Sequence, residues 1–152
     1  MMIPEYRAFF DRNSGSTMGR FSIRHKSGEY IVEKILARSG QPGFAETSWV
    51  TTKSPCPYGD FNLYTASQNV GQLAGERGIG ECFPIDNQGD MVTICDPKNR
   101  KRKRKGICLH EENGIPGSEG CIVIVYHDEW LRVKDWLKSQ ARIRKTIPLE
   151  VM

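Results

Sequence analysis

No run in the 152-residue chain approaches the roughly eighteen consecutive apolar residues that a membrane-spanning helix requires, so no transmembrane segment is expected. The opening stretch, Met1-Met2-Ile3-Pro4-Glu5-Tyr6-Arg7, has no basic cluster followed by an apolar run, so no secretory signal is expected. Cysteine is sparse and odd in number: five residues, none spaced as Cys-x-x-Cys. That excludes a disulfide scaffold and a closed thiolate zinc site, and it fits synthesis in a reducing compartment. No internal repeat and no long linker divides the chain. Residues 1–152 therefore read as a single domain, of a size that buries roughly 70% of its unfolded surface. Hydrophobic residues at 38% and charged residues at 26% describe an ordinary folded composition rather than a disordered one.

The net charge of +4 is unevenly distributed. Seven of the 22 basic residues lie in one tract: Lys98, Arg100, Lys101, Arg102, Lys103, Arg104 and Lys105. The remainder holds 15 basic against 18 acidic residues, so the body of the protein is mildly acidic. A binder of single-stranded nucleic acid combines its cations with aromatic side chains for stacking, and this tract has none. It reads first as a solvated loop and second as a contact for a polyanion: nucleic acid, wall polymer or an acidic partner chain. The tract is the only hint of nucleic acid, which is not the expected partner.

Turn formers punctuate the chain at Asn13-Ser14-Gly15-Ser16, Lys26-Ser27-Gly28, Ser39-Gly40-Gln41-Pro42-Gly43, Ser54 to Gly59 and Asn87-Gln88-Gly89. Between them lie short alternating runs with strand character, such as Phe21-Ser22-Ile23, Phe61 to Tyr64 and Met91 to Ile94. Ile107-Cys108-Leu109 and Cys121 to Val125 are apolar throughout, as expected of strands buried on both faces. Tyr30 to Ala37 fits either a strand or a short helix. One helix is expected over about 128–140, capped by Asp128, with Trp130, Val133 and Leu137 forming the stripe that packs on a sheet. The fold class is mainly β with one helix in the C-terminal region.

The chemistry concentrates between residues 104 and 125. A strand over 107–110 ends in His110, a loop rich in turn formers follows, and a strand over 121–125 opens with Cys121. If the two strands pair antiparallel, directly opposed Cα atoms lie about 4.5–5.5 Å apart and the imidazole meets the thiol. An imidazole at that range turns a weak thiol into a thiolate nucleophile. Gly120 allows close backbone approach to a substrate carbonyl, and the Gly120 and Cys121 amides can face a developing oxyanion. The bland alternative is that free cysteines are among the most buried residues, and Cys56, Cys82, Cys95 and Cys108 read that way. The thirteen-residue recurrence of Cys82, Cys95, Cys108 and Cys121 has no repeat around it and reads as chance. His25 reads as a surface histidine. Gly71, Gly75, Gly78 and Gly80 lack the lysine of a phosphate-binding loop.

Arg104-Lys105-Gly106-Ile107-Cys108-Leu109-His110, followed by Pro116-Gly117-Ser118-Glu119-Gly120-Cys121-Ile122-Val123-Ile124, resembles the catalytic signature of L,D-transpeptidase (YkuD-type) domains. Pro57-Tyr58-Gly59-Asp60-Phe61-Asn62-Leu63 resembles that family's upstream proline–glycine turn and strand. The resemblance spans about residues 54–65 and 77–126. It implies a β-sandwich or barrel domain in which Cys121 is the nucleophile, His110 its base, Ser118 a turn-shaping residue and Gly120 part of the oxyanion site. Arg104 and Glu119 would stand on the substrate side, Arg104 facing an anionic part. Glu119 occupies a position where familiar members have His, Val123 one where many have Arg or Asn, and the eleven-residue His-to-Cys spacing implies a small lid.

The family acts on peptidoglycan stem peptides through an acyl-enzyme, passed to an amine as a transpeptidase or to water as a peptidase. No metal or cofactor is called for. With no secretory signal, the expected setting is synthesis in the cytoplasm, followed by incorporation into a phage particle or tail, or delivery to the wall by an injection apparatus. Other virion or secretion-apparatus proteins are then possible partners. The alternative is a non-catalytic structural or wall-binding virion subunit that keeps the fold.

Overall fold

The computed structural model describes residues 3–12, 16–41, 43–44, 49, 53–70, 80–112 and 120–152. Eleven strands and one helix follow in chain order: β1 Tyr6–Arg12, β2 Met18–His25, β3 Tyr30–Ser39, β4 Gly59–Tyr64, β5 Gln68–Val70, β6 Gly80–Asp86, β7 Thr93–Asp96, β8 Asn99–Lys105, β9 Cys108–Glu111, β10 Ile122–Ile124, α1 His127–Gln140 and β11 Thr146–Val151. The mainly β class with a single helix is what the sequence predicts.

One sheet runs β4-β11-β1-β2-β3-β10-β9-β6-β5, and β6 also pairs with β4 through Asn62↔Asp86 and Leu63↔Ile85. That pairing closes eight strands into a barrel, which removes the open edges that would otherwise need covering. Two neighbours are parallel, β1 with β11 and β9 with β10, and the other pairings are antiparallel. The closing pair is held by the buried Asp86 carboxylate, which accepts from Asn62 Nδ2 (3.0 Å), the Tyr64 hydroxyl (2.8 Å) and the Met91 amide (2.7 Å).

Strand alternation sorts the side chains of the β9–β10 region. Ile107, Leu109, Ile122 and Ile124 join the main core, while Cys108, Cys121 and Val123 form a separate buried cluster with Cys82. Both faces are buried, as their apolar runs predict. Helix α1 packs on β3, β9 and β10, burying Trp130, Val133 and Leu137. Trp130 meets Phe83 edge to face at 5.8 Å, and Trp136 meets Tyr6 at 4.9 Å, so both tryptophans pack rather than line a ligand box.

Residues 30–37, open in sequence between strand and helix, lie in strand β3, because β2 and β10 flank it and supply ladder partners that a helix would leave unmet. Three local expectations are corrected. The basic tract is strand β8 of a hairpin with β7 rather than a loop, although only Arg104 of its seven cations is buried. The helix begins at His127. Tyr126 occupies the N-cap position without a side-chain bond, and Asp128 sits in the first turn, where its charge favours the helix dipole. Finally, β9 and β10 run parallel, not antiparallel, with Ile122 beside Leu109 and Val123 beside His110. The turns at 13–15 and around Pro42, the glycine segment 71–79, and the loop 113–119 with Ser118 and Glu119 lie outside the described residues.

Candidate active site

Because β9 and β10 are parallel, the register that sets Ile122 against Leu109 sets Cys121 against Cys108. The two Sγ atoms are 3.6 Å apart. His110 lies two residues along β9, on the same face as Cys108, and also hydrogen-bonds the Cys121 sulfur. Cys82 comes from β6, where it stands opposite His110, and it hydrogen-bonds Cys108. Three thiols and one imidazole, from β6, β9 and the residue that leads into β10, thus share one buried face of the sheet. The thirteen-residue spacing of the cysteines is a coincidence of sequence, yet Cys82, Cys108 and Cys121 meet in space. Cys95 does not join them; it lies in β7, its sulfur near the carbonyls of Asp96 and Arg100.

His110 is oriented by its other nitrogen. Nδ1 lies 2.8 Å from the Glu111 carbonyl oxygen. A carbonyl only accepts, so Nδ1 carries a proton and Nε2 is left for the Cys121 sulfur. Burial alone would push the His110 pKa down, but the bond to Cys121 and the charge on that sulfur outweigh it and raise the pKa above 6.5. Cys121 is held well below the ordinary 9.0: the Cys108 thiol donates to it, and the His110 bond and charge reinforce the effect against burial. Cys108 is correspondingly raised, first by its hydrogen bond to Cys121, then by that to Cys82 and by burial, all of which hold its proton in place. Cys82 is lowered by the Cys108 bond, again against burial. The single S–H of Cys108 faces two acceptors, and the imidazolium beside Cys121 makes that sulfur the better one. The arrangement favours a Cys121 thiolate paired with a His110 imidazolium.

Gly120 has φ +100, the region glycine tolerates best, and a Cβ there would lie 2.2 Å from Arg104 Nη2. Both facts require glycine immediately before Cys121. Arg104 is 6% exposed and donates to the carbonyls of Pro55 (2.6 Å) and Ser54 (2.8 Å), clamping the 54–56 segment against the Cys121 turn. The family resemblance implies that this guanidinium faces an anionic part of a substrate; in the structure it lies against Gly120, bound to backbone carbonyls.

Two residues that sequence reasoning missed complete the support. The buried Ser39 hydroxyl donates to the Gly120 carbonyl (3.0 Å) and accepts from the Cys56 amide (2.8 Å). Holding that carbonyl turns the amide of the same peptide, that of Cys121, to the opposite side. Arg12 donates to the Cys56 carbonyl (3.1 Å) and stacks on Tyr58 at 4.1 Å. Neither residue has a local motif, since their partners lie 44 and 81 positions away. Two glutamates follow His110 in the chain. Glu112 takes a two-pronged bond from Arg38 (2.8 and 2.7 Å), and the Glu111 carboxylate hydrogen-bonds the His127 ring. Cys56, by contrast, is inert: burial pushes its thiol up to about 12 despite the charges of Arg104 and Arg12. His25 lies partly exposed at the surface, as expected, its Nδ1 bonded to the Ser27 hydroxyl and its ring against Tyr6. Among the described residues no group of three or more His, Cys, Asp or Glu is arranged to hold a metal ion, and no helix is long and apolar enough to cross a membrane.

No family model matches the sequence, and no curated protein matches it. In structure the chain is similar to the helical cell shape determining protein Pgp2 from Campylobacter jejuni, with a TM-score of 0.53 at 13% identity. The match covers 97% of this chain and 48% of that one, so the chain spans about half the length of its structural neighbour. At this identity the likeness is one of fold.

Proposed function

We propose that the protein is a peptidoglycan-directed cysteine acyltransferase or peptidase of L,D-transpeptidase type. The observation that carries this reading is the Cys121–His110 pair, with the thiol pKa lowered, the imidazole pKa raised and Nδ1 anchored on the Glu111 carbonyl. The sequence resemblance around His110 and Cys121 supports it, and so does the fold likeness to a cell shape determining protein.

In this reading the Cys121 thiolate attacks the carbonyl of the third stem-peptide residue, forming a C–S bond. The oxygen that gains the electron pair is met by the Gly120 and Cys121 amides. Collapse expels the amine of the terminal D-residue, which takes the proton from His110, and leaves a thioester on Cys121. An incoming amine or water gives its proton back to His110 and attacks the thioester. The products are a cross-link or a shortened peptide, with the thiolate restored.

The test is a muropeptide assay read by mass, alongside labelling of the protein with a carbapenem. Loss of the terminal D-residue or formation of a cross-link, abolished in Cys121→Ala and strongly reduced in His110→Ala, is the expected result. An intact muropeptide and no adduct at Cys121 would overturn the catalytic reading. The alternative, a structural or wall-binding subunit that keeps the fold, is favoured by one observation: Cys121 is only 8% exposed.

A further inference from the structure

We infer that the β7–β8 hairpin is a docking arm for the carboxylate-bearing flank of a cell-wall strand whose reacting bond lies at Cys121. The inference rests on the proposed function for the identity of the strand; the arm itself rests on separate observations.

The root of the hairpin belongs to the site. Arg104, opposite Ile94 in the hairpin ladder, is buried against Gly120, and the Gly106 carbonyl just beyond β8 lies 3.7 Å from Cys121 Sγ. The root is also braced from behind. Asn87 bonds Cys95 through both its amide nitrogen (2.9 Å) and its oxygen (2.8 Å), and Gly106 donates to the Val92 carbonyl (2.9 Å). From that fixed root the strand leads outward. Arg100 lies four residues from Arg104, about 13 Å at the usual rise of a strand.

What the arm presents is charge. Lys98, Arg100, Lys101, Arg102, Lys103 and Lys105 are all exposed, and none forms an ion pair among the described residues. Six cations on a short hairpin repel one another, and an anionic ligand would relieve that repulsion. The fold holds them together in the open through β7, whose Thr93, Ile94, Cys95 and Asp96 are all buried. Elsewhere the chain is net acidic, so an anionic polymer is attracted to this hairpin and repelled by the body.

The chemistry of the arm selects among polyanions. It has no aromatic side chain on which a base could stack, which disfavours single-stranded nucleic acid. Stem peptides carry free carboxylates, and exposed arginines bind such groups with two parallel hydrogen bonds. A strand held on the arm would bring its peptide to the root, where Cys121 lies.

The test uses the full chain and purified sacculi in a sedimentation binding assay over a range of salt. R100Q/K101Q/R102Q/K103Q removes four exposed charges, and R100K/K101R/R102K/K103R keeps them. The neutral variant should bind about tenfold or more weakly at low salt with a flatter salt dependence, while the charge-preserving variant binds as the parent does. Sacculi whose carboxylates have been amidated should lose the parent's binding to the same degree. Unchanged binding by the neutral variant, indifference to amidation, or tighter binding to DNA than to sacculi would overturn the arm. Alkylation of Cys121 by iodoacetamide, which carries no carboxylate for the arm to hold, should be the same in parent and variants. Inert Cys121 with intact arm-dependent binding would refute the catalytic reading and leave the arm standing.

Discussion

Cys108 and Cys121 face each other across two parallel strands with their sulfurs 3.6 Å apart, and the first serves the second as a hydrogen-bond donor. A cysteine that reads in sequence as mere packing is thereby part of the site. The pair also accounts for how a thiolate can exist at a position only 8% exposed: the charge is met by an S–H on one side and an imidazolium on the other.

Replacing Cys108 with Ala removes that donor while opening little space. The Cys121 pKa should rise, and the pH at which its alkylation by iodoacetamide is half-maximal should move up by about one unit, slowing the rate on the acid side. Cys108→Ser, which keeps a donor, should retain most of the rate. A Cys108→Ala protein labelled as fast as the parent would show that His110 alone activates the thiol.

Adjacent strands also bring these two cysteines within disulfide range, since a bridge needs Cα atoms about 4.4–6.8 Å apart. Treatment with diamide, which takes up the two hydrogens the thiols release, should join Cys108 to Cys121. Peptide mapping should find that bridge ahead of any involving Cys56, whose thiol is pushed up to about 12.

The opposed pKa shifts of Cys121 and His110 set the pH dependence. A thiol lowered from 9.0 on folding contributes stability that is fully present above 9.0 and lost as pH falls through the folded value. An imidazole raised from 6.5 contributes stability fully present below 6.5 and lost as pH rises through the folded value. Where the folded thiol is ionised and the folded imidazole still protonated, the two slopes oppose each other, because folding moves a proton from sulfur to nitrogen without net uptake. Denaturant unfolding from pH 5 to 10 should show stability falling on the acid side as the thiolate is protonated and on the alkaline side as the imidazolium is lost. In Cys121→Ala the thiolate's contribution should vanish.

Gly120→Ala should be severe. It forces a Cβ into the φ +100 conformation and onto the Arg104 guanidinium, with an expected cost of at least about 2 kcal/mol in thermal or denaturant unfolding. Labelling of Cys121 should fall as well, because the turn that presents it must shift.

Ser39→Ala leaves a buried carbonyl and a buried amide without their shared hydroxyl, at an expected cost of about 2–4 kcal/mol. Its effect on turnover should exceed its effect on the rate of Cys121 alkylation, since alkylation needs the thiolate but not an oriented Cys121 amide. Equal losses in both would reduce Ser39 to a structural role.

The mainly β class, the helix near 127–140 and the two central residues Cys121 and His110 are legible in the chain because each leaves a local mark. Strands announce themselves by alternation and turn residues, the helix by the stripe Trp130, Val133 and Leu137, and the buried thiol–imidazole pair by a strand-ending His and a Gly-Cys at a strand start. What lies far apart in sequence leaves no such mark. The direction of β9 relative to β10, the closure of β4 on β6, and the convergence of Cys82 with Cys108 are decided by strand order in the sheet.

Arg104 illustrates the division. Its sequence shows a cation in a basic run; only the tertiary structure shows that it alone of the seven turns inward, to the carbonyls of Ser54 and Pro55, and leaves the others outside. Residue chemistry by itself determined that a thiol and an imidazole were available on strands. Only the fold decided which nitrogen faces the sulfur, which cysteine donates to it and which arginine is buried, because burial and hydrogen-bond partners belong to segments that meet only when the barrel closes.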